Sequence, residues 1–355
     1  MATKRARKSI QEPAKLASSL IAALKFISVA QKKAGTVQQQ YCMIAGHWAL
    51  ASNGIITAAC KIEEDLNACP HTAQLTEALL KCGQELNITQ LSVNVLSIKS
   101  DKFKALIPCI NPIELQVNAP DNLIAPLDNR IKEGFEAITP VSTDGAQLAH
   151  YAGVLLQAGS MAATNGAVLL EFWHGLDLPP NLLIPKAAAV AIAKCEKNLT
   201  GFGYSSSSAT FYFEDESFIK TQLFNERFPH YAALFPDTPN AWPLPEGFFT
   251  AVKAIETFSL NGIVYFDKTG VSSREQESEA STYQIEGLPE DMAFNSKYLI
   301  MCEAAFKNVQ FDKPGKRVIF FSDKMRGAIA TVNIDKEPAK YNATASTSYE
   351  HDIPF

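Results

Sequence analysis

Apolar residues recur three or four positions apart at three places along the chain, and alternating apolar and polar positions follow each time. In KLASSLIAALKFISVAQKK (15–33), Leu16, Leu20, Leu24 and Ile27 fall on one helical face. In PLDNRIKEGFEAI (126–138), Leu127, Ile131 and Phe135 are spaced by four, and Pro126 suits an early helical position. PEGFFTAVKAIETFS (245–259) repeats the pattern with Phe248, Val252, Ile255 and Phe258. Strands follow each helix. YCMIAGHWALASNGIITAAC (41–60) and YAGVLLQAGSMAATNGAVLLEFW (151–173) each predict two strands joined near an Asn-Gly, and LNGIVYFDKTGVSSREQ (260–276) keeps the pattern more loosely.

A second short helix comes next: TAQLTEALLKC (72–82), PKAAAVAIAKC (185–195) and NSKYLIMCEAAFK (295–307). Each pass ends in another strand set, over 90–107, 208–224 and 317–332. Polar hairpin tips stand at Lys99-Ser100-Asp101, Glu214-Asp215-Glu216 and Ser322-Asp323-Lys324. One helix–strands–helix–strands unit, written three times, accounts for almost the whole chain and predicts an α+β protein built from repeats. The boundaries fall at a basic flexible start (1–13), three domains (14–120, 121–240, 241–334) and an extension (335–355). The two Asn-Gly units read as turns at equivalent points of duplicated domains, because Asn and Gly tolerate positive φ.

Composition narrows this picture. The chain has 355 residues, 47% hydrophobic and 19% charged, which excludes wholesale disorder. Its seven cysteines show no CxxC spacing and read as reduced, mostly buried thiols of a cytosolic protein. No apolar run is long enough to span a bilayer, and the basic start MATKRARKSIQEP lacks a signal-peptide core. That start reads either as a solvated tail or as a nucleic-acid contact.

The repeats resemble a known family, the bacterial-type DNA polymerase sliding clamp (the beta subunit, or processivity factor), phage-encoded versions included. The resemblance runs from about residue 14 to 334. It is carried by MAATNGAVLLEFW with LLIPKAAAVAIAK, by ESFIKTQLFNERFPHYAALFP, and by AFNSKYLIMCEAAFKNVQF. It implies three clamp domains, each with two inner helices and outward antiparallel sheets. Two copies would close head to tail into a homodimeric ring around double-stranded DNA. It also implies a cytoplasmic, non-catalytic accessory to replication, without a cofactor. Such a protein tethers a DNA polymerase and meets its clamp loader through short linear peptides.

A ring around DNA demands a cationic lining, against a net charge of −5. The six predicted inner helices carry thirteen Lys or Arg against eight Asp or Glu, leaving −10 for everything else. Loose phosphate contacts of this kind permit sliding and ignore sequence. The DNA-facing candidates on the first domain are Lys15, Lys25, Lys32, Lys33 and Lys81. The second domain contributes Arg130, Lys132, Lys194 and Lys197, and the third Lys253, Lys297 and Lys307. No base-stacking or sequence-reading module is evident.

The resemblance further implies a peptide pocket between the second and third domains. One wall carries over to Thr164, Gly166, Ala167, Val168 and Leu169, and the facing one to Pro229, Ala233 and Leu234. Phe266, Asn295 and Tyr298 would come from the third domain. Two departures alter it: the family usually has His-Arg where this chain has Ala167-Val168, and Arg where it has Ala233. The family also ends in an apolar tail near the pocket, whereas here 21 residues follow ATVNI. Their terminal EHDIPF reads as an interaction peptide or as a frayed end.

Other chemistry finds little support. His47, Cys60, Cys69 and His71 match no zinc-module spacing. GFGYSSSS (201–208) lacks the third glycine and the Rossmann setting. No nucleophile, base and orienting residue can be nominated together, so neither a catalytic nor a metal site is expected. The rival reading is a three-repeat scaffold that binds replication partners without encircling DNA.

Overall fold

A computed structural model describes residues 13–32, 35–83, 86–115, 117–274 and 280–332. The basic start before Pro13 and the extension with its EHDIPF end lie outside the described residues. The first pass comprises α1 (Pro13–Ile27), β1 (Met43–Ser52), β2 (Ile56–Ala68), α2 (Thr72–Leu80), β3 (Asn87–Ser92), β4 (Val95–Ser100) and β5 (Phe103–Pro108). The second opens with β6 (Leu123–Pro126), α3 (Arg130–Ile138), β7 (Gly153–Leu156), β8 (Ser160–Thr164) and β9 (Val168–Trp173). It continues with β10 (Leu182–Pro185), α4 (Lys186–Ala193), β11 (Leu199–Tyr204), β12 (Ser208–Phe213) and β13 (Phe218–Gln222). The third holds β14 (Trp242–Pro243), α5 (Phe248–Glu256), β15 (Ile263–Asp267), β16 (Gly270–Ser272) and β17 (Thr282–Gln284). After these come β18 (Met292–Asn295), α6 (Ser296–Met301), β19 (Asn308–Asp312), β20 (Arg317–Phe321) and β21 (Met325–Ala330).

The residue contacts divide the chain into two compact units. The first holds the described residues up to Phe235 with Asp323–Arg326; the second holds the described residues of Pro236–Ser322 and those from Gly327 to Val332. Strand pairing explains why the first two passes share a unit. β2 pairs antiparallel with β13, Ala59 opposite Phe218 and Ala58 opposite Ile219, giving one sheet of order β1-β2-β13-β12-β11-β6. A second sheet in this unit runs β3-β4-β5, and β10-β7-β8-β9 are neighbours in a third. In the second unit, β17-β16-β15-β18 form a four-stranded sheet and β20-β19-β14 lie side by side.

The helices bury the faces that their periodicity predicts. Leu20, Ala23, Leu24 and Ile27 of α1 are buried, as are Ile131, Phe135 and Ile138 of α3 and Phe248, Val252 and Ile255 of α5. Each such large side chain contributes about 1.5–3 kcal/mol of apolar transfer. Two boundaries differ from expectation. Pro126 ends β6, opposite Gly201, and α3 begins only at Arg130, where Asp128 Oδ1 accepts from the Arg130 amide at 2.9 Å. An edge strand tolerates the missing proline N–H. Phe258 lies beyond α5, 64% exposed, so the apolar face stops at Ile255.

Both Asn-Gly turns are built alike. Asn53 Oδ1 accepts from the amides of Ile55 and Ile56, and Asn165 Oδ1 from those of Ala167 and Val168. Ser52 Oγ and Thr164 Oγ1 each accept from the following glycine amide, and Gly54 and Gly166 have φ of +88° and +89°. The seven cysteines are free thiols. Burial pushes Cys42 and Cys302 up to about 12.

Candidate functional site

The predicted DNA-facing cations separate into two groups. Lys25 on α1, Lys32 in the turn after it, Lys81 and Lys194 at the C-caps of α2 and α4, and Lys297 on α6 are all exposed. None of these five has an ion pair among the described residues. Lys307 is exposed immediately before β19. The Lys15 side chain and Lys33 lie outside the described residues.

The other cations are engaged within the chain. Arg130 chelates Asp128, which this holds below the usual carboxylate range, and also reaches the His174 carbonyl. Lys132 Nζ donates to the Lys197 carbonyl at 3.1 Å, and Lys253 pairs with Glu303 at 2.7 Å. Lys197 is the centre of a knot between the first two passes. Its Nζ lies 2.6 Å from Asp215, 3.2 Å from Ser217 Oγ and 3.3 Å from Cys60 Sγ, and 4.0 Å above the Phe26 ring. Burial alone would pull the Lys197 pKa down, but Asp215 and Cys60 together hold it above the ordinary lysine value. Its charge is therefore spent inside the fold.

The residues carried over to the peptide pocket sit in several environments. The Thr164 hydroxyl is used by the turn, donating to the Val168 carbonyl at 2.7 Å. Val168 and Leu169 are core residues of β9, while Gly166 and Ala167 form the turn beside Tyr151. Pro229 and Ala233 are exposed and Leu234 is half-buried. In the second unit, Phe266 packs in the aromatic core with Phe248 and Phe294 rather than at the surface. Asn295 caps α6 by accepting from the Lys297 amide, and Tyr298 is half-buried.

Of these residues only Pro229 borders the cavity that the first unit shows here, about 710 Å³ beneath residues 227–232. Its polar floor escaped the sequence reading. Glu171, 4% exposed, accepts from Tyr231 Oη at 2.7 Å, Ser160 Oγ at 2.9 Å and Arg326 Nε at 2.6 Å. Gln157 Nε2 donates to Tyr231 Oη, and the Arg326 guanidinium lies 4.1 Å from the Phe235 ring. Burial, and then the Glu171 carboxylate, push the Tyr231 phenol up. The one signal available was an acid inside the apolar run VLLEFW, since a buried carboxylate requires partners.

Tyr41 and His71 meet edge to face in the first pass, where His71 Nδ1 caps α2 by accepting from the Gln74 amide. Among the described residues no three His, Cys, Asp or Glu side chains form a metal-binding group. None of their helices is long and apolar enough to cross a membrane.

No protein-family model and no curated protein sequence matches the chain. Solved structures do. The DNA polymerase III subunit beta of Pseudomonas aeruginosa superimposes with a TM-score of 0.75 at 10% identity, over 90% of this chain and 98% of that one. The fold is that of a DNA sliding clamp. The Bacillus subtilis sliding clamp gives 0.75 at 13% identity with the same coverage of both chains. The Helicobacter pylori beta clamp, solved with a DNA ligase peptide, gives 0.73 at 16%. At identities of 10–16% the likeness is one of fold.

Proposed function

We propose that the protein is a DNA sliding clamp. Its three passes are three clamp domains, and two copies close head to tail into a ring around duplex DNA. The ring holds a replicative polymerase on its template in the cytoplasm and performs no chemistry of its own. The observation that carries this reading is a clamp fold matched over 90% of the chain. The exposed, unpaired Lys25, Lys81, Lys194 and Lys297 on or capping the short helices support it, because loosely held cations attract phosphates without fixing register.

The peptide pocket is proposed around Gly166, Pro229, Ala233 and Leu234 of the first unit. The Helicobacter structure with its ligase peptide supports the idea of peptide docking on this fold. Small side chains at Ala167, Val168 and Ala233 remove long polar contacts, so the polymerase and loader peptides should be more apolar than the family's usual ones.

The test is retention on DNA of different topology. Protein assembled on nicked circular DNA is freed of unbound material, and half of the sample is linearised. A sliding ring stays on circles and is lost from linear DNA; equal retention on both defeats the proposal. The scaffold reading draws on the intramolecular engagement of Arg130, Lys132, Lys197 and Lys253. It predicts a monomer in sedimentation and no retention on either topology.

A further inference from the structure

A cavity of about 860 Å³ in the first unit lies away from the proposed peptide pocket, against the six-stranded sheet β1-β2-β13-β12-β11-β6. Its floor is aromatic: Trp48 and Tyr212 flank Phe218, with ring centroids 6.4 and 6.2 Å away. Met43, Ala45 and Leu50 of β1 form one side, and residues 117–120 the other. The second side is firmly anchored. Lys220 Nζ donates to the Ala119 carbonyl at 2.8 Å, and Asp121 accepts from Ser208, Thr210 and Lys220. Tyr212 Oη donates to the Asp121 carbonyl. A groove walled this way exists before anything enters it, which lowers the ordering cost of binding.

The groove resembles the cavity beneath residues 227–232 in one respect: in each, the segment that follows a pass forms a wall, here residues 117–120. The floors differ in chemistry. The Glu171–Arg326 pair closes the cavity beneath residues 227–232, whereas the floor of this groove is the three rings of Trp48, Tyr212 and Phe218.

Charge selects the occupant. Ala45 pairs with Asn67 and Trp48 with Lys61 on either side of a bulge, and the alternating burial of β2 between them turns Glu63 and Asp65 to the same exposed face as Lys61 and Asn67. Lys61 is neutralised by Glu216 at 2.5 Å, which leaves Glu63 and Asp65 as a net negative row beside the apolar floor. We infer that this groove docks an extended segment of a partner protein that carries large apolar anchors followed by basic residues. The apolar anchors would cover Trp48 and Phe218, and the basic residues would meet Glu63 and Asp65.

The probe is a fluorescein-labelled peptide, Gly-Leu-Phe-Ser-Lys-Arg-Lys, titrated with full-length protein and read by anisotropy. Saturable binding is expected. Ala45→Arg, at an exposed position, fills the groove and should weaken it by at least about tenfold. The Glu63→Lys/Asp65→Lys pair should weaken it about tenfold at low salt and abolish its salt dependence. Unchanged thermal midpoints show that both variants fold. Absence of saturable binding overturns the inference, as does equal affinity of Ala45→Arg. So does equal binding of a probe whose basic residues are replaced by Glu. Self-association of the wild type that Ala45→Arg removes would assign the groove to a second copy and likewise overturn it.

Discussion

At the residue scale, His174 shows how much one buried ring fixes. It is 1% exposed, and its Nδ1 accepts from the Leu176 amide at 3.0 Å. Burial depresses its pKa below the ordinary histidine value. As pH falls through about 6.5 the unfolded chain takes up a proton that the folded one refuses. Stability is therefore complete above that pH and is lost below it, by at most about 1.4 kcal/mol per pH unit. Thermal midpoints measured from pH 7.5 to 5.5 should fall in the wild type. His174→Asn, which keeps an acceptor for Leu176, should flatten that slope. Nothing in HGLDLPP announced this burial. The sequence shows a turn there, but burial of the ring comes from elements distant in the chain.

At the element scale, the two Asn-Gly turns were the most legible feature, because their chemistry is local. They still differ in their surroundings. A Cβ at Gly54 would meet nothing within 4 Å, so Gly54→Ala carries only backbone strain, about 1 kcal/mol. At Gly166 the added carbon would lie 3.0 Å from Tyr151 Oη, so Gly166→Ala should cost more. Urea denaturation of the two variants measures the difference; equal costs would mean that Tyr151 yields freely. Helix faces were equally readable, from Leu20 through Ile255. Pro126 and Phe258 were not, since a strand partner claimed the first and chain departure exposed the second. The Glu171–Arg326 pair joins residues far apart in sequence, which no local pattern encodes.

At the scale of the whole molecule, the repeat was legible from periodicity, and the resemblance carried by MAATNGAVLLEFW and AFNSKYLIMCEAAFKNVQF implied the clamp fold that the superpositions then matched. Individual lysines were less legible, because a helix distributes charge around its axis and folding decides which cations find partners. The structure separates them by an experiment. Lys25→Ala/Lys81→Ala/Lys194→Ala removes exposed, unpaired cations and should leave the thermal midpoint unchanged. It should reduce retention on circular DNA, with a salt slope shallower by up to about 0.9 per lost phosphate contact. Lys197→Ala should instead lower the thermal midpoint, because it removes the ion pair to Asp215 together with the contacts to Ser217, Cys60 and the Phe26 ring. Equal destabilisation by both variants would remove the distinction between lining and knot.

The joint sheet also has a history within each molecule's lifetime. β2 acquires its partner β13 only when a segment about 150 residues later has been made. At ~5–20 residues per second, the apolar edge Ile56–Cys60 waits roughly 10–30 s on the ribosome. Throughout that interval it is an unpaired strand edge, the kind of surface on which neighbouring nascent chains aggregate. The pairing that binds the first two passes together therefore makes their synthesis the most exposed moment in the life of the protein.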